Sequence, residues 1–312
     1  MMRNKTSESL MKVLFLAFAF QFLAFNCFAG GPGTTGAAFL KLGTGARPSA
    51  MGEAFSAVAG DVNSIYWNPA GLAYASDKQI SFVHTEWLQS VRYEYLAYCQ
   101  PAFGGTIGTG ITYLYIDGIE RRTGDTPNPD GIVPANDLSV AVSYSKGISD
   151  KASLGGSVKI LRQQLDDLSS MGAAFDIGLL IKPGEDVLCY GLCLQNIGYM
   201  APFITEANLL PLNLKAGISR SIQDKFTFAA DLNYSILDSV WAVGAGIEYW
   251  LVPMFSLRAG YKYNSAINTT LGALTGLTCG IGFRLNILGI DYAFVPYGDL
   301  GYTHRIALGA KF

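Results

Sequence analysis

From about Gln79 onward, hydrophobic and polar side chains alternate with a period of two, the spacing of β-strands whose two faces meet different surroundings. After Asp224-Lys225, the residues Phe226, Phe228, Ala230, Leu232, Tyr234 and Ile236 share one face, while Thr227, Ala229, Asp231, Asn233 and Ser235 share the other. The pattern repeats downstream. Trp241, Val243, Ala245, Ile247 and Tyr249 lie opposite Gly244, Gly246 and Glu248; Phe255, Leu257, Ala259, Tyr261 and Tyr263 lie opposite Ser256, Arg258, Gly260 and Lys262. The alternation predicts strands at 79–88, 91–101, 105–117, 137–148, 151–163, 171–183, 186–197, 211–221, 224–236, 240–251, 254–263, 271–285, 287–296 and 299–312. They make about fourteen, and a bacterial transmembrane barrel requires an even number.

The connections sort by parity. Every second one is tight, at Phe103-Gly104, Ser149-Asp150, Gly184-Glu185, Gln223-Asp224, Pro253 and Asn286, whereas the others include 118–136, 164–170 and 198–210. Short turns on one side and long loops on the other are expected of outer-membrane barrels; a soluble sandwich alternates too but has no reason to sort its loops. Aromatic residues gather near strand ends, as in Tyr93 and Tyr95 or Tyr261 and Tyr263, the placement of an interfacial girdle. The polar face carries both signs of charge: Arg92, Glu94, Lys159, Asp176, Lys215, Asp231, Glu248, Arg258, Lys262, Arg284, Asp291, Arg305 and Lys311. These are the expected lumen residues. An unpaired buried charge is costly, so a structural network paired with itself and with whatever fills the barrel is one reading; a polar conduit or ligand cradle is the other.

The N-terminus sets the compartment. Lys12 precedes an uncharged apolar run from Val13 to Phe25, then Cys27-Phe28-Ala29 gives a small-x-small cleavage site before Gly30, the pattern of a Sec signal peptide. The run is shorter than the roughly 20 residues a spanning helix needs. Met1 to Leu10 are polar, which makes Met11 an alternative start. The expected organisation is a signal peptide at 1–29, an N-terminal segment at 30–78 and a barrel at 79–312.

Composition removes other classes. Half the chain is hydrophobic, with 36 Gly and 15% charged residues, yet no second uncharged run reaches helix-spanning length. A formal net charge of −2 offers no basic footprint for nucleic acid. Cys99, Cys189, Cys193 and Cys279 lack metal-ligand spacing and the chain has 2 His, so neither a metal nor another cofactor is expected. Cys189 and Cys193, four residues apart on one strand, are too distant for a disulfide. No enzyme active site emerges. Gly30-Gly31-Pro32-Gly33 and Gly104-Gly105 lack a Walker Lys-Ser/Thr pair, Asp166-Asp167 reads as solvated loop charge, and His84 and His304 fall in the first and last strands. Closure would bring those two strands together.

The segment Gly30 to Ser76 is rich in small residues and too small for an independent domain, with a turn at Asn68-Pro69 and Gly71 that also reads as a helix cap. The run of Gly45-Ala46-Arg47, Met51-Gly52-Glu53-Ala54-Phe55 and Trp67-Asn68-Pro69-Ala70-Gly71-Leu72 resembles the PorV/PorQ family, within the wider FadL-like outer-membrane superfamily. The ending from Thr303-His304-Arg305-Ile306 to Phe312 matches as well. The resemblance implies an all-β fold, a transmembrane antiparallel barrel of about fourteen strands with an N-terminal hatch that plugs it. It makes Trp67, Asn68, Pro69, Ala70 and Gly71 hatch residues. It also implies type IX secretion or surface attachment through the C-terminal domains of secreted cargo; FadL-like uptake of a hydrophobic small molecule and a purely structural role are the alternatives. Beyond outer-membrane lipid, the expected partner is the barrel-assembly machinery, with Phe312 as its terminal signal. The apolar loop Tyr199 to Leu210, with Phe203, Ile204 and Leu209, is the expected extracellular contact for cargo or ligand.

Overall fold

The computed structural model describes residues 33–205, 208–268 and 272–312; the expected signal peptide at 1–29 lies outside them. Among the described residues the wall consists of β1 (Gln79–Glu86), β2 (Val91–Ala102), β3 (Gly105–Ile116), β4 (Ala135–Ser149), β5 (Ala152–Leu165), β6 (Leu168–Ile181) and β7 (Cys189–Met200). It continues through β8 (Asn213–Ile222), β9 (Phe226–Ser235), β10 (Val240–Val252), β11 (Phe255–Asn264), β12 (Leu277–Leu285), β13 (Leu288–Pro296) and β14 (Tyr302–Lys311). Each strand pairs antiparallel with its neighbour in sequence, and the ring shuts where β1 meets β14, from Gln79 opposite Lys311 to Glu86 opposite His304. Closure leaves no sheet edge in hydrocarbon, where an open N–H or C=O has no water to bond.

Alternation decides which face goes where. Phe82, Leu96, Val142, Phe228, Leu257 and Ile306 point outward and are exposed, whereas Ser81, Ala97, Ser143, Thr227, Arg258 and Arg305 point inward and are buried. The outward set is the lipid-facing surface. At the β2–β3 turn, Phe103 and Gly104 both take positive φ, 54° and 72°, the geometry that lets a two-residue hairpin follow the strand twist.

Three expectations need correction. β5 and β6 run on to Leu165 and Leu168, so 164–170 is not a long loop but a hairpin turning at 166–167, with Asp166 at φ 54°. β12 begins at Leu277 and not at 271, because Gly272 at φ 89° breaks an extended run and a short turn over Ala273–Gly276 precedes the strand. On β2 the faces are reversed from the expected ones: Tyr93 and Tyr95 are buried inside, while Arg92 and Glu94 point outward near the long-loop rim. The register places Tyr93 opposite Thr85 and Tyr95 opposite Val83, both buried. There Arg92 pairs with Asp117 at 2.8 Å, and Glu94 with His84 at 2.7 Å. Aromatic residues occupy both faces of this strand, so polarity alone misassigned it.

The N-terminal segment comprises short turns: Ala38–Lys41, Ala46–Ala50, Ser64–Trp67 and Pro69–Tyr74. Helices this short do not stand alone in water; the wall holds them. The Tyr93 hydroxyl of β2 donates to Leu42 O, Ser145 of β4 and Ser153 of β5 donate to Ala70 O, and Ser219 of β8 donates to Ala57 O. Thr278 of β12 donates to Ala50 O and Arg305 of β14 to Gly43 O. Partners spread round the whole ring can be reached only from inside it. Backbone approaches closely where the wall has no side chain: a Cβ at Gly191 would lie 2.0 Å from Ser56 O, and one at Gly246 would lie 2.3 Å from Met51 O.

Candidate functional site

The lumen is built from inward wall residues and the segment they enclose. Asn68 joins the two. Its Oδ1 accepts from Ala70 N at 3.1 Å and caps the turn that Pro69 begins, while its Nδ2 donates to Ser56 O at 2.7 Å and to Leu179 O of β6 at 3.2 Å. Trp67 Nε1 donates to Thr44 O at 3.0 Å, and Gly71 N to Asn68 O at 2.9 Å. One residue is thus both cap and tie to the wall.

Charges form a chain across the segment and the wall. Asp61 Oδ2 accepts from Arg47 Nη1 at 2.6 Å, Arg47 Nη2 donates to Glu248 Oε2 at 2.6 Å, Arg258 Nε reaches Glu248 Oε1 at 2.7 Å, and Arg258 Nη1 reaches Asp291 Oδ1 at 2.6 Å. Lys262 pairs with Glu53 and Lys159 with Asp176 at 2.6 Å; Lys159 also donates to Asn196 Oδ1 at 2.8 Å. Asp231 Oδ2 accepts from the backbone N–H groups of Phe55 and Ser56 at 2.9 and 2.8 Å. Among the described residues Arg284 forms no ion pair with a carboxylate but lies 4.2 Å over the Trp250 ring, and the Arg305 guanidinium lies 5.3 Å over Trp87.

Burial would raise the Glu53 carboxyl, yet the Lys262 and Arg305 cations hold it below its usual range. Asp61, equally buried, is held low by Arg47 and Lys311. The sequence pattern located the wall charges but missed their partners Arg47 and Glu53, and Asp61 that pairs with Arg47, because a non-periodic segment gives no sign of which way its side chains face.

The segment divides the lumen. Toward the long connections lies a cavity of about 280 Å³ lined by Lys41, Glu53, Trp67, Trp87, Lys215, Asn233, Asp238 and Lys262, among others. Toward the tight turns is one of about 90 Å³, lined in part by Arg47, Asp61, Arg284, Asp291 and Lys311. At the long-loop rim Ile204 and Leu209 are 77% and 58% exposed and Phe203 is partly covered, while Leu209 O anchors Gly36 N at 3.0 Å. Phe312 ends the chain at the opposite rim, where it exchanges backbone hydrogen bonds with Lys78 at 3.0 and 3.1 Å. His84 and His304 do sit on adjacent strands but take separate partners, Glu94 for the one and the Tyr292 hydroxyl, at 2.6 Å, for the other. Cys99, Cys189 and Cys193 are buried free thiols; Cys279 is exposed.

A family model described as "Type IX secretion system protein PorV" matches residues 32–178, from the enclosed segment into β6. No curated protein sequence matches the chain. Among solved structures, the Pseudomonas putida toluene transporter TodX superposes with a TM-score of 0.61 at 15% identity, covering 86% of this chain and 96% of its own. The Ralstonia pickettii toluene transporter TbuX gives 0.61 at 15% identity, covering 86% and 98%. A Pseudomonas aeruginosa FadL homologue gives 0.56 at 13% identity, again covering 86% and 98%. At such identities the structures speak for the fold alone, and the family match covers the enclosed segment and the first strands of the wall. The chain is a closed fourteen-stranded antiparallel β-barrel with the fold of these structures, and over residues 32–178 it is similar to the PorV family.

Proposed function

We propose that this barrel acts in type IX secretion or surface attachment, holding the C-terminal domain of a secreted cargo protein at its long-loop mouth, after export by the Sec signal peptide and insertion by the barrel-assembly machinery. The observation that carries the reading is the PorV family match over residues 32–178. In it, residues 30–78 are a hatch with Trp67 to Gly71 as its seam, the lumen charges anchor that hatch, and the exposed side chains of Ile204 and Leu209, with Phe203, form the cargo contact. A surface of this kind at a membrane rim gains by being covered. The test replaces Phe203, Ile204 and Leu209 with Ser. The barrel should still insert and show heat-modifiable gel migration, while cross-linking to a cargo C-terminal domain is lost. Undiminished cross-linking would remove this loop from the contact.

The second reading is uptake of a hydrophobic small molecule, favoured by the likeness to TodX and TbuX, whose structures are those of toluene transporters. The ion pairs between segment and wall weigh against it, since an apolar solute crossing this lumen would have to pass charged groups that hold the segment in place. Lipid analysis of the protein purified from native membranes separates the two: a co-purifying hydrophobic molecule favours uptake, a captured cargo domain favours secretion.

A further inference from the structure

We propose that the 280 Å³ vestibule on the long-loop side is a binding site for a compact hydrophilic carboxylate that carries an N–H group beside it, with Lys215 as the anchoring cation. Lys215 is 4% exposed and lines this cavity. Its Nζ lies 4.3 Å from the centre of the Trp67 ring and 5.2 Å from that of Tyr66, and it has no hydrogen-bond acceptor or ion-pair partner among the described residues. The other vestibule cations are matched, Lys41 by Asp238 at 2.7 Å and Lys262 by Glu53. Aromatic faces attract an ammonium but accept none of its three N–H donors in a directed bond, so a buried lysine placed in this way lacks an acceptor.

The neighbours of Lys215 are short of partners too. Asn233 stands directly opposite it in the β8–β9 register, and Asn213 precedes it by two residues on the same face. The Oδ1 atoms of both are buried without a partner. One unmatched cation beside unmatched amide oxygens is complementary to an anionic acceptor flanked by a donor. A carboxylate suits Lys215, as a charge-assisted bond, and an adjacent N–H suits Asn233. A hydrocarbon supplies neither and would bury the ammonium further; inorganic phosphate supplies no N–H. The rings of Trp87 and Tyr297 on the same cavity offer flat surfaces for the body of the ligand. This chemistry belongs to a free amino acid or short peptide and equally to the C-terminal end of a polypeptide entering from the rim. The proposal does not depend on the secretion reading.

The experiment titrates the detergent-solubilised barrel with glycylglycine, glycylglycinamide and a longer Gly-Ser peptide with a free C-terminus, following tryptophan fluorescence, because Trp67 lies under Lys215 and Trp87 lines the cavity. Glycylglycine should bind saturably, and the amide about tenfold more weakly or less, the scale of one hydrogen bond to a charged group. Lys215→Met should lose the difference between acid and amide, and Lys215→Arg should keep it. Equal binding of acid and amide to the unmodified protein, or no saturable response to any carboxylate, overturns the proposal, as does an unchanged difference in a correctly inserted Lys215→Met. The acid–amide comparison needs no variant, so it decides the matter even if Lys215→Met does not insert. Given that difference, a longer peptide binding as tightly as glycylglycine assigns the ligand to a chain end; its exclusion assigns it to a free small molecule.

Discussion

Arg47, on the segment inside the barrel, grips Glu248 of β10 through two bonds, Nη2 to Oε2 at 2.6 Å and Nε to Oε1 at 3.0 Å. The same guanidinium holds Asp61 of its own segment, so one side chain ties that segment together and ties it to the wall. Glu248 is fully buried, and Arg258 meets it from the next strand. Removing the arginine would leave buried Asp61 without its ion-pair partner and Glu248 with Arg258 alone.

Arg47→Met is therefore expected to lose about 3 kcal/mol of stability, the cost of leaving buried charge unpaired. The measurement is the urea midpoint for loss of the folded, fast-migrating gel species. Combining it with Glu248→Met should cost less than the sum of the single changes, because the two residues share one interaction. A single variant with the wild-type midpoint would show that the pair adds nothing to the fold.

Deleting residues 34–74 should raise conductance in planar bilayers, since that span contributes Met51, Phe55, Ile65, Trp67 and Leu72, all buried within the ring. Insertion is verified by heat-modifiable migration. An inserted barrel with unchanged conductance would mean that other residues close the lumen.

Gly191→Val tests the seating of the enclosed segment without removing it. A Cβ there would lie 2.0 Å from Ser56 O, a distance real contacts do not show, so the segment must shift. Conductance should rise to an intermediate level while the wall, whose outward face is untouched, still inserts. If the variant conducts like the wild type, the segment is more compliant than its close contacts imply.

Acidification should loosen the Glu53–Lys262 contact. Burial pushes the Glu53 carboxyl up, but Lys262 and Arg305 more than offset this and hold it below the ordinary value of 4.5. A group with a depressed folded value stabilises the fold above the unfolded value, and that contribution disappears as pH falls through the folded one. The urea midpoint should drop below about pH 4.5 and do so less steeply in Glu53→Gln. The same slope in both proteins would assign the acid sensitivity to other carboxylates.

Phe312 is 59% exposed at the end of β14, where it exchanges backbone hydrogen bonds with Lys78. Deleting it should cost the finished barrel little and slow its insertion, measured as the half-time for appearance of the folded gel species in cells. Equal half-times with and without Phe312 would remove the terminal signal from the account.

The strands, their number, their inward and outward faces over most of the ring and the sorting of short turns to one rim were legible from local alternation, because a barrel wall meets lipid on one side and protein on the other at every second residue. Asn68-Pro69 and Gly71 were legible as a turn for the same local reason. Alternation failed on β2, where Tyr93 and Tyr95 turn inward: aromatic side chains suit both a girdle and a packed interior, and only pairing with β1 chooses between them. It was silent about Arg47 and Glu53, whose partners Glu248 and Lys262 lie some two hundred residues away in the chain, and about Asp61, which Arg47 holds. It was silent too about the unmatched Lys215, since a missing partner becomes visible only when every neighbour has been placed. Periodicity belongs to the chain and so could be read from it; the pairing of buried charge depends on which strands closure brings round the segment, and that was decided only by the folded ring.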